Sequence, residues 1–353
     1  MFKDQYHVLG VMSGTSLDGL DIAQINFSLQ EGKWRFTLGV CKTITYSKER
    51  KTSLKILVAQ DAQKLDEQDR LFTQFLGQEI RKFIDQNTIV DLDAVCSHGH
   101  TALHLPHKGI TRQIGNRKEL DQIIGIPVVC DFRVQDVQLG GQGAPLVPIG
   151  DRLLFNDYDY CLNLGGFANV SYSNGQKRIA FDLCPANIVL NSYANLLGLA
   201  YDDGGQLARK GKLLSSKLDA LDALPYYKES PPKSLGLEWV RAQFEPILDP
   251  KTVKPIDGLR TANEHIAMQI AKPLKAKSTV LVTGGGAYNS YLLERIESYK
   301  KLDLIVPDAD LVEFKEALIF GLLGVLKLRD EVNCLSSVTG AKHDHSSGNI
   351  FMP

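Results

Sequence analysis

The sequence predicts an α/β protein built from two similar domains, and three observations predict it. Strand-like runs alternate with helix-like runs along most of the chain, which indicates sheets that are partly parallel. At 353 residues the chain exceeds one ordinary core and suits two of roughly 150 residues each. The order strand, glycine turn, strand, turn, strand occurs near the start of the chain and again from Tyr160 onward. The expected division is 1–132 and 133–334, with a tail at about 335–353 that packs back on the first domain.

The first repeat opens with a strand over residues 7–12 and a small-residue turn over 13–16. A second strand follows over 20–29 and a third over 33–46, where Trp34, Phe36, Leu38 and Val40 alternate. Helical spacing marks about 49–58 and 62–85; in the second, Leu65, Phe72, Phe75, Leu76, Ile80, Phe83 and Ile84 recur at three and four. A short strand over 92–97 ends in Ser97-His-Gly-His-Thr101, and another over 128–130 ends in Asp131-Phe-Arg133. Polar residues just past strand ends are where such sheets place their sites. Residues 134–148 are glycine-rich without a period and read as an inter-domain loop.

The second repeat has strands at 160–164, 170–173 and 177–182, with turns at Gly165-Gly-Phe-Ala-Asn169 and Ser173-Asn-Gly175. Helices are expected at about 186–197 and 259–274, a buried strand at 278–282 and a helix at 288–298. A strand at 302–306 and an apolar helix at 315–328 follow, and the tail from Val338 reads as irregular.

Net charge is −1, so no bulk attraction to nucleic acid or an anionic membrane is implied. No apolar run approaches the ~20 residues that span a bilayer. The opening residues show no signal-peptide core, which predicts no secretory leader. Six cysteines lack Cys-x-x-Cys spacing, and Cys96, Cys130 and Cys161 lie in or beside apolar runs. Buried reduced thiols are expected, which suits the cytoplasm.

Three glycine turns each follow an apolar strand, at Gly14, Gly165 and Gly284. Glycine lets a phosphate approach the backbone, Thr15 and Ser16 add donors, and Asp18 could hold Mg²⁺ through water. The first turn is not a Walker A loop, because it lacks Gly-Lys-Ser/Thr and leads into a strand. Two facing domains would set Gly14 to Ser16 and Gly165-Gly166 across one nucleotide cleft. Asp182 closes a strand just before a helix. By spacing alone it fits a charge complementing a helix dipole slightly better than a general base. His98, His100, His104 and His107 match no zinc spacing and read as substrate-contacting or loop residues; His343 and His345 read as solvated. Glu316 reads as a charge at a helix start.

Together, Gly10-Val-Met-Ser-Gly-Thr-Ser-Leu-Asp-Gly19, His98-Gly-His-Thr101, Gln113-Ile-Gly115 and Gly140-Gly-Gln-Gly-Ala-Pro-Leu-Val-Pro148 resemble the anhydro-N-acetylmuramic acid kinase family. Asn163-Leu-Gly-Gly-Phe-Ala-Asn169, Phe181-Asp182, Pro231-Pro-Lys-Ser234, Thr283-Gly-Gly-Gly-Ala287 and Glu316-Ala317 continue the likeness in the family's order.

The resemblance implies a sugar kinase, Hsp70 and actin type fold: two ribonuclease-H-like domains with an ATP cleft between them. It also implies ATP-dependent, hydrolytic opening of 1,6-anhydro-N-acetylmuramic acid to N-acetylmuramic acid 6-phosphate, with ATP and Mg²⁺, in cytoplasmic cell-wall sugar recycling. Gly14, Thr15, Ser16, Leu17, Asp18, Gly19, Leu20 and Asp21 match the phosphate loop, joined by Gly165 and Gly166. Asp182 matches the catalytic aspartate, and Gly284, Gly285 and Gly286 the adenosine side. Arg133, Glu316, His98 and Thr101 match the sugar side. The partner implied is a small amino sugar, with neither nucleic acid nor membrane, and a homodimer is allowed.

The chain departs from the family at Cys184-Pro-Ala-Asn187, where Gly-Pro-Gly-Asn is usual, and at His100, where Gln is common. Another sugar kinase of the same fold, a nucleotide-switched binding protein and a histidine-based metal hydrolase are the competing functions.

Overall fold

The computed structural model describes residues 2–14 and 17–353, so Thr15 and Ser16, expected in a phosphate loop, lie outside the described residues. The chain divides into two compact units, Met1–Leu154 with Phe314–Pro353, and Phe155–Glu313.

In the first unit β1 (Gln5–Ser13), β2 (Gly19–Gln30) and β3 (Lys33–Thr45) form an antiparallel meander. β4 (Ala94–Leu105) pairs parallel with β1, and β6 (Val128–Cys130) pairs parallel with β4. The order is β3-β2-β1-β4-β6, with β5 (Ile110–Ile114) antiparallel on the outer length of β4. β1 is buried over most of its length, as its unbroken apolar run requires of a strand covered on both faces. One face carries Leu9, Val11, Leu20 and Ile22 against Phe72, Leu76, Ile80 and Phe83 of the helix Ala62–Gln86. The other face meets the apolar helix Ala309–Leu328, whose residues from Phe314 onward belong to this unit. A Cβ at Gly10 would lie 1.9 Å from the carbonyl oxygen of Ala317, and one at Gly324 would lie 2.1 Å from the Cys96 sulfur. Only glycine permits that approach.

In the second unit β7 (Tyr160–Leu164), β8 (Phe167–Asn174) and β9 (Lys177–Pro185) form the meander. β10 (Thr279–Thr283) is parallel to β7, and β11 (Asp303–Ile305) is parallel to β10. The order β9-β8-β7-β10-β11 repeats that of the first sheet. The helix Pro255–Ala271 packs Leu259, Ala262, Ile266 and Ile270 into this core. Each unit is therefore ribonuclease-H-like: a three-stranded meander extended by two parallel strands. Among the described residues no helix is long and apolar enough to cross a membrane.

Several expectations are corrected. The units meet at Leu154/Phe155 and Glu313/Phe314, not at 132/133 and 334/335. The segment expected as an inter-domain loop holds two helices, Val134–Gln138 and Val147–Leu154, and belongs to the first unit. It is tied to the tail there: Gln142 donates its backbone N–H to the Thr339 carbonyl (2.8 Å). The strand expected to end at Ser97 runs to Leu105, because β5 pairs with the stretch that carries His100 and His104. The tail is only partly irregular: Asn349–Phe351 adds a strand antiparallel to β6. His345 is buried rather than solvated, whereas His343 is exposed. Five of the six cysteines are buried, Cys41 is half-buried, and none is bridged.

Candidate active site

In the second unit parallel pairing sets Thr283 beside Asn163, so the turns after β7 and β10 emerge side by side. A Cβ on Gly284 (φ +81°) would strike Asn163 Oδ1 at 2.7 Å, and one on Gly286 would strike the Leu164 Cβ at 2.7 Å. Asn187 joins them: its backbone N–H donates to Gly165 O (3.2 Å) and its side-chain amide to Leu164 O (3.0 Å). Gly165, Gly166, Gly284, Gly285, Gly286 and Asn187 thus form one small-residue surface, with Gly166 and Gly285 exposed. Such a surface admits a flat or phosphate-bearing ligand close to the backbone.

Asp182, expected to close its strand, lies inside β9, which runs on to Pro185. Its Oδ2 accepts the Leu235 N–H at 2.9 Å, and its backbone N–H donates to Lys233 O at 3.2 Å. The Tyr226 hydroxyl donates to the Asp182 carbonyl at 2.7 Å. The carboxylate is therefore clamped by a segment more than forty residues downstream. Among the described residues its Oδ1 accepts no hydrogen bond. Burial raises its carboxyl above the ordinary range, and the Leu235 N–H partly offsets this. A held carboxylate with one open oxygen and enhanced basicity can take a proton. Cys184 and Ala186 are fully buried, and neither has a positive φ.

In the first unit Gly14 follows β1, and Leu17 (φ +61°) donates its N–H to Gly14 O at 3.3 Å. Asp18 is exposed, and its carboxylate has no partner among the described residues, a donor that suits a hard cation such as Mg²⁺. Gly19 begins β2. Leu20 is fully buried core and Asp21 accepts the Thr43 hydroxyl at 2.6 Å, so both belong to the sheet beyond the loop.

His98, within β4, and Arg133, three residues past β6, come together. Arg133 Nε donates to His98 Nε2 (2.8 Å), and Nη1 donates to Gly143 O (2.6 Å). His98 Nδ1 lies 2.9 Å from Gly99 O, and a carbonyl only accepts, so Nδ1 carries the proton and the ring is neutral. Burial and the Arg133 charge push His98 well below its usual value, in agreement. Glu316 stays accessible to solvent, yet protein atoms crowd it; crowding raises its carboxyl and Arg133 lowers it. Thr101 is half-buried in β4 opposite Gln113, whose amide reaches it only at 3.5 Å.

The four histidines disperse. His98 serves Arg133, and His104 meets the Thr111 hydroxyl at 3.0 Å. His107 is exposed in the turn before β5. His100 ends a buried relay in which the Tyr46 hydroxyl donates to Ser13 Oγ (2.6 Å), which lies 2.9 Å from His100 Nδ1. Burial lowers His100 to about 4, so the ring in that bond is neutral. Sequence reasoning missed this relay and the Leu235 clamp. Its only pointer to the clamp was the Pro231-Pro-Lys-Ser234 stretch.

Two ribonuclease-H-like units, with glycine turns at their strand ends, define the class of two-unit α/β kinases and their ATPase kin. The family model described as anhydro-N-acetylmuramic acid kinase matches residues 6–353. A protein of that name from Actinobacillus pleuropneumoniae is 32% identical, over 99% of this chain and 100% of its own. One from Rhodopseudomonas palustris is 34% identical, over 98% and 99%. The chain belongs to the anhydro-N-acetylmuramic acid kinase family and is a phosphotransferase. Among solved structures, component A of the Acidaminococcus fermentans (R)-2-hydroxyglutaryl-CoA dehydratase gives 14% identity and a TM-score of 0.45, over 92% of this chain and 99% of that one. That likeness is distant, and the fold assignment rests on the strand order.

Proposed function

We propose that this chain uses ATP and water to convert 1,6-anhydro-N-acetylmuramic acid to N-acetylmuramic acid 6-phosphate, in the recycling of cell-wall sugar in the cytoplasm. The observation that carries the reading is the clamped Asp182 with one open carboxylate oxygen. Water is a poor nucleophile, and Asp182 takes one of its protons as the water oxygen bonds to the anomeric carbon. The bond from that carbon to O6 breaks, and its electrons stay on O6. O6 then attacks the γ-phosphorus, ADP leaves, and the proton on Asp182 passes to solvent.

The first unit supplies the phosphate loop and the sugar side. The Arg133 guanidinium, fixed by His98 and Gly143, is a rigid donor for the sugar's carboxylate, and Glu316 accepts from its polar groups. The second unit supplies Asp182 and, at Gly284 to Gly286, the adenosine side. Mg²⁺ bound with ATP would spread the phosphate charge, and Asp18 would hold it through water.

The test is incubation with ATP, Mg²⁺ and the anhydro sugar in oxygen-labelled water, read by mass spectrometry. The expected product is a sugar 6-phosphate with one labelled oxygen on the anomeric carbon. Phosphorylation without label there, or of ordinary N-acetylmuramic acid in preference, contradicts the reading.

A further inference from the structure

Away from these strand ends the first unit holds a second cluster. Asp136, on the helix Val134–Gln138, is fully buried, and Cys334 and His345 of the C-terminal segment are 1% and 5% exposed. One carboxylate oxygen, the sulfur and one ring nitrogen all lie within 4.8 Å of one another. We propose that Asp136, Cys334 and His345 bind a divalent transition-metal cation, zinc by its donor set, which fastens the C-terminal segment to the helix Val134–Gln138.

The ring nitrogens carry the argument. His345 Nδ1 lies 3.1 Å from the His343 carbonyl, which can only accept, so Nδ1 holds the proton. In the neutral ring Nε2 then presents a lone pair, and it has no hydrogen-bond partner although it is buried. It faces Asp136 Oδ1 at 3.6 Å, too far for a hydrogen bond. Two acceptors facing each other in a dry interior repel unless a positive charge stands between them. Ligands 2.0–2.1 Å from one tetrahedral zinc are about 3.3 Å apart, close to the spacing present. A carboxylate, an imidazole and a thiolate are a zinc set, and three protein ligands leave one position for water.

The surroundings hold the ligands in place, as metal sites require. Asp136 Oδ2 accepts the Gly143 N–H and Oδ1 accepts the Thr339 hydroxyl, each at 2.7 Å. Cys334 and His345 exchange both backbone hydrogen bonds, at 3.0 and 3.2 Å, which sets their side chains in register. A Cβ at Gly141 would lie 2.2 Å from Asp136 Oδ2. The nearby Arg133 guanidinium opposes a cation, and the two anionic ligands offset it. The Gly143 peptide gives its N–H to Asp136 and its carbonyl to Arg133, so the cation would also steady the arginine of the sugar side.

The test is titration of the chelator-treated full chain with cobalt(II), followed by zinc. The expected result is a thiolate-to-cobalt charge-transfer absorption that saturates at one equivalent and is displaced by zinc. It persists in Cys41→Ser and is lost in Cys334→Ser and His345→Gln. Thr339→Val, which keeps all three ligands, weakens zinc binding roughly 10–100-fold. No such absorption in the parent chain overturns the proposal. So does an absorption that survives in Cys334→Ser.

Discussion

The two units share one strand order and do opposite things with it. The second has bare backbone in the turns after β7 and β10, at Gly165, Gly166 and Gly284 to Gly286, and one clamped carboxylate, Asp182, in β9. The first sets paired side chains along and beside its central strands, His98 of β4 on Arg133 and His100 of β4 on Ser13 of β1. A scaffold held by the same meander and the same parallel extension thus tolerates either chemistry. Bare backbone suits a ligand recognised by close approach; preset side chains suit one recognised by its own polar groups.

The sharpest way to test this contrast is to change the carboxylate proposed as the base in the second unit. Asp182→Asn keeps the shape and still accepts the Leu235 N–H, but accepts no proton, so kcat should fall by on the order of 10²–10⁴. In the parent the rate should rise with pH as Asp182 loses its proton. That limb should lie above the ordinary aspartate value near 4, since burial raises the carboxyl. A pH–rate profile with no limb above the ordinary carboxylate range would remove Asp182 from the chemistry.

The matching change in the first unit should act on binding. His98→Leu leaves Arg133 Nε without its acceptor while the ring's packing on Phe320 is partly kept. A hydrogen bond to a charged group contributes about 1.5–3 kcal/mol, so the sugar KM should rise about tenfold or more with kcat little changed. An unchanged sugar KM would show that the His98–Arg133 pair is only structural.

The smallest effect sharpens the contrast rather than testing it. His100 titrates at about 4 in the folded chain against a usual 6.5. The unfolded chain therefore binds the extra proton between those values, and stability present above 6.5 is lost as pH falls toward 4. This group alone should cost about 2 kcal/mol between pH 7 and pH 5. His100→Gln should remove that part of the acid loss in urea unfolding. An equal acid loss in the variant would place the sensitivity elsewhere.

What the sequence made legible follows contact range. The meanders were readable because alternation and turn residues are local, and the two parallel strands after each followed from short apolar runs. The glycine turns were readable for the same reason. The extension of β4 was not, because Ser97 to His104 is polar and becomes strand only by pairing with β5. Leu20 was carried into the phosphate loop by motif position, yet its side chain is core. The Leu235 clamp on Asp182 and the burial of His345 depend on chain that returns from far along the sequence. Local pattern carries no sign of such returns.

If Asp182 moves a proton, its loss should cut turnover and spare binding. The most direct test is calorimetric titration of Asp182→Asn with ATP and with the anhydro sugar, alongside turnover of the same preparation at saturating substrate. The assignment predicts parent-like affinity for both ligands with turnover reduced by on the order of 10²–10⁴. Turnover near the parent rate in a variant that binds both would contradict it.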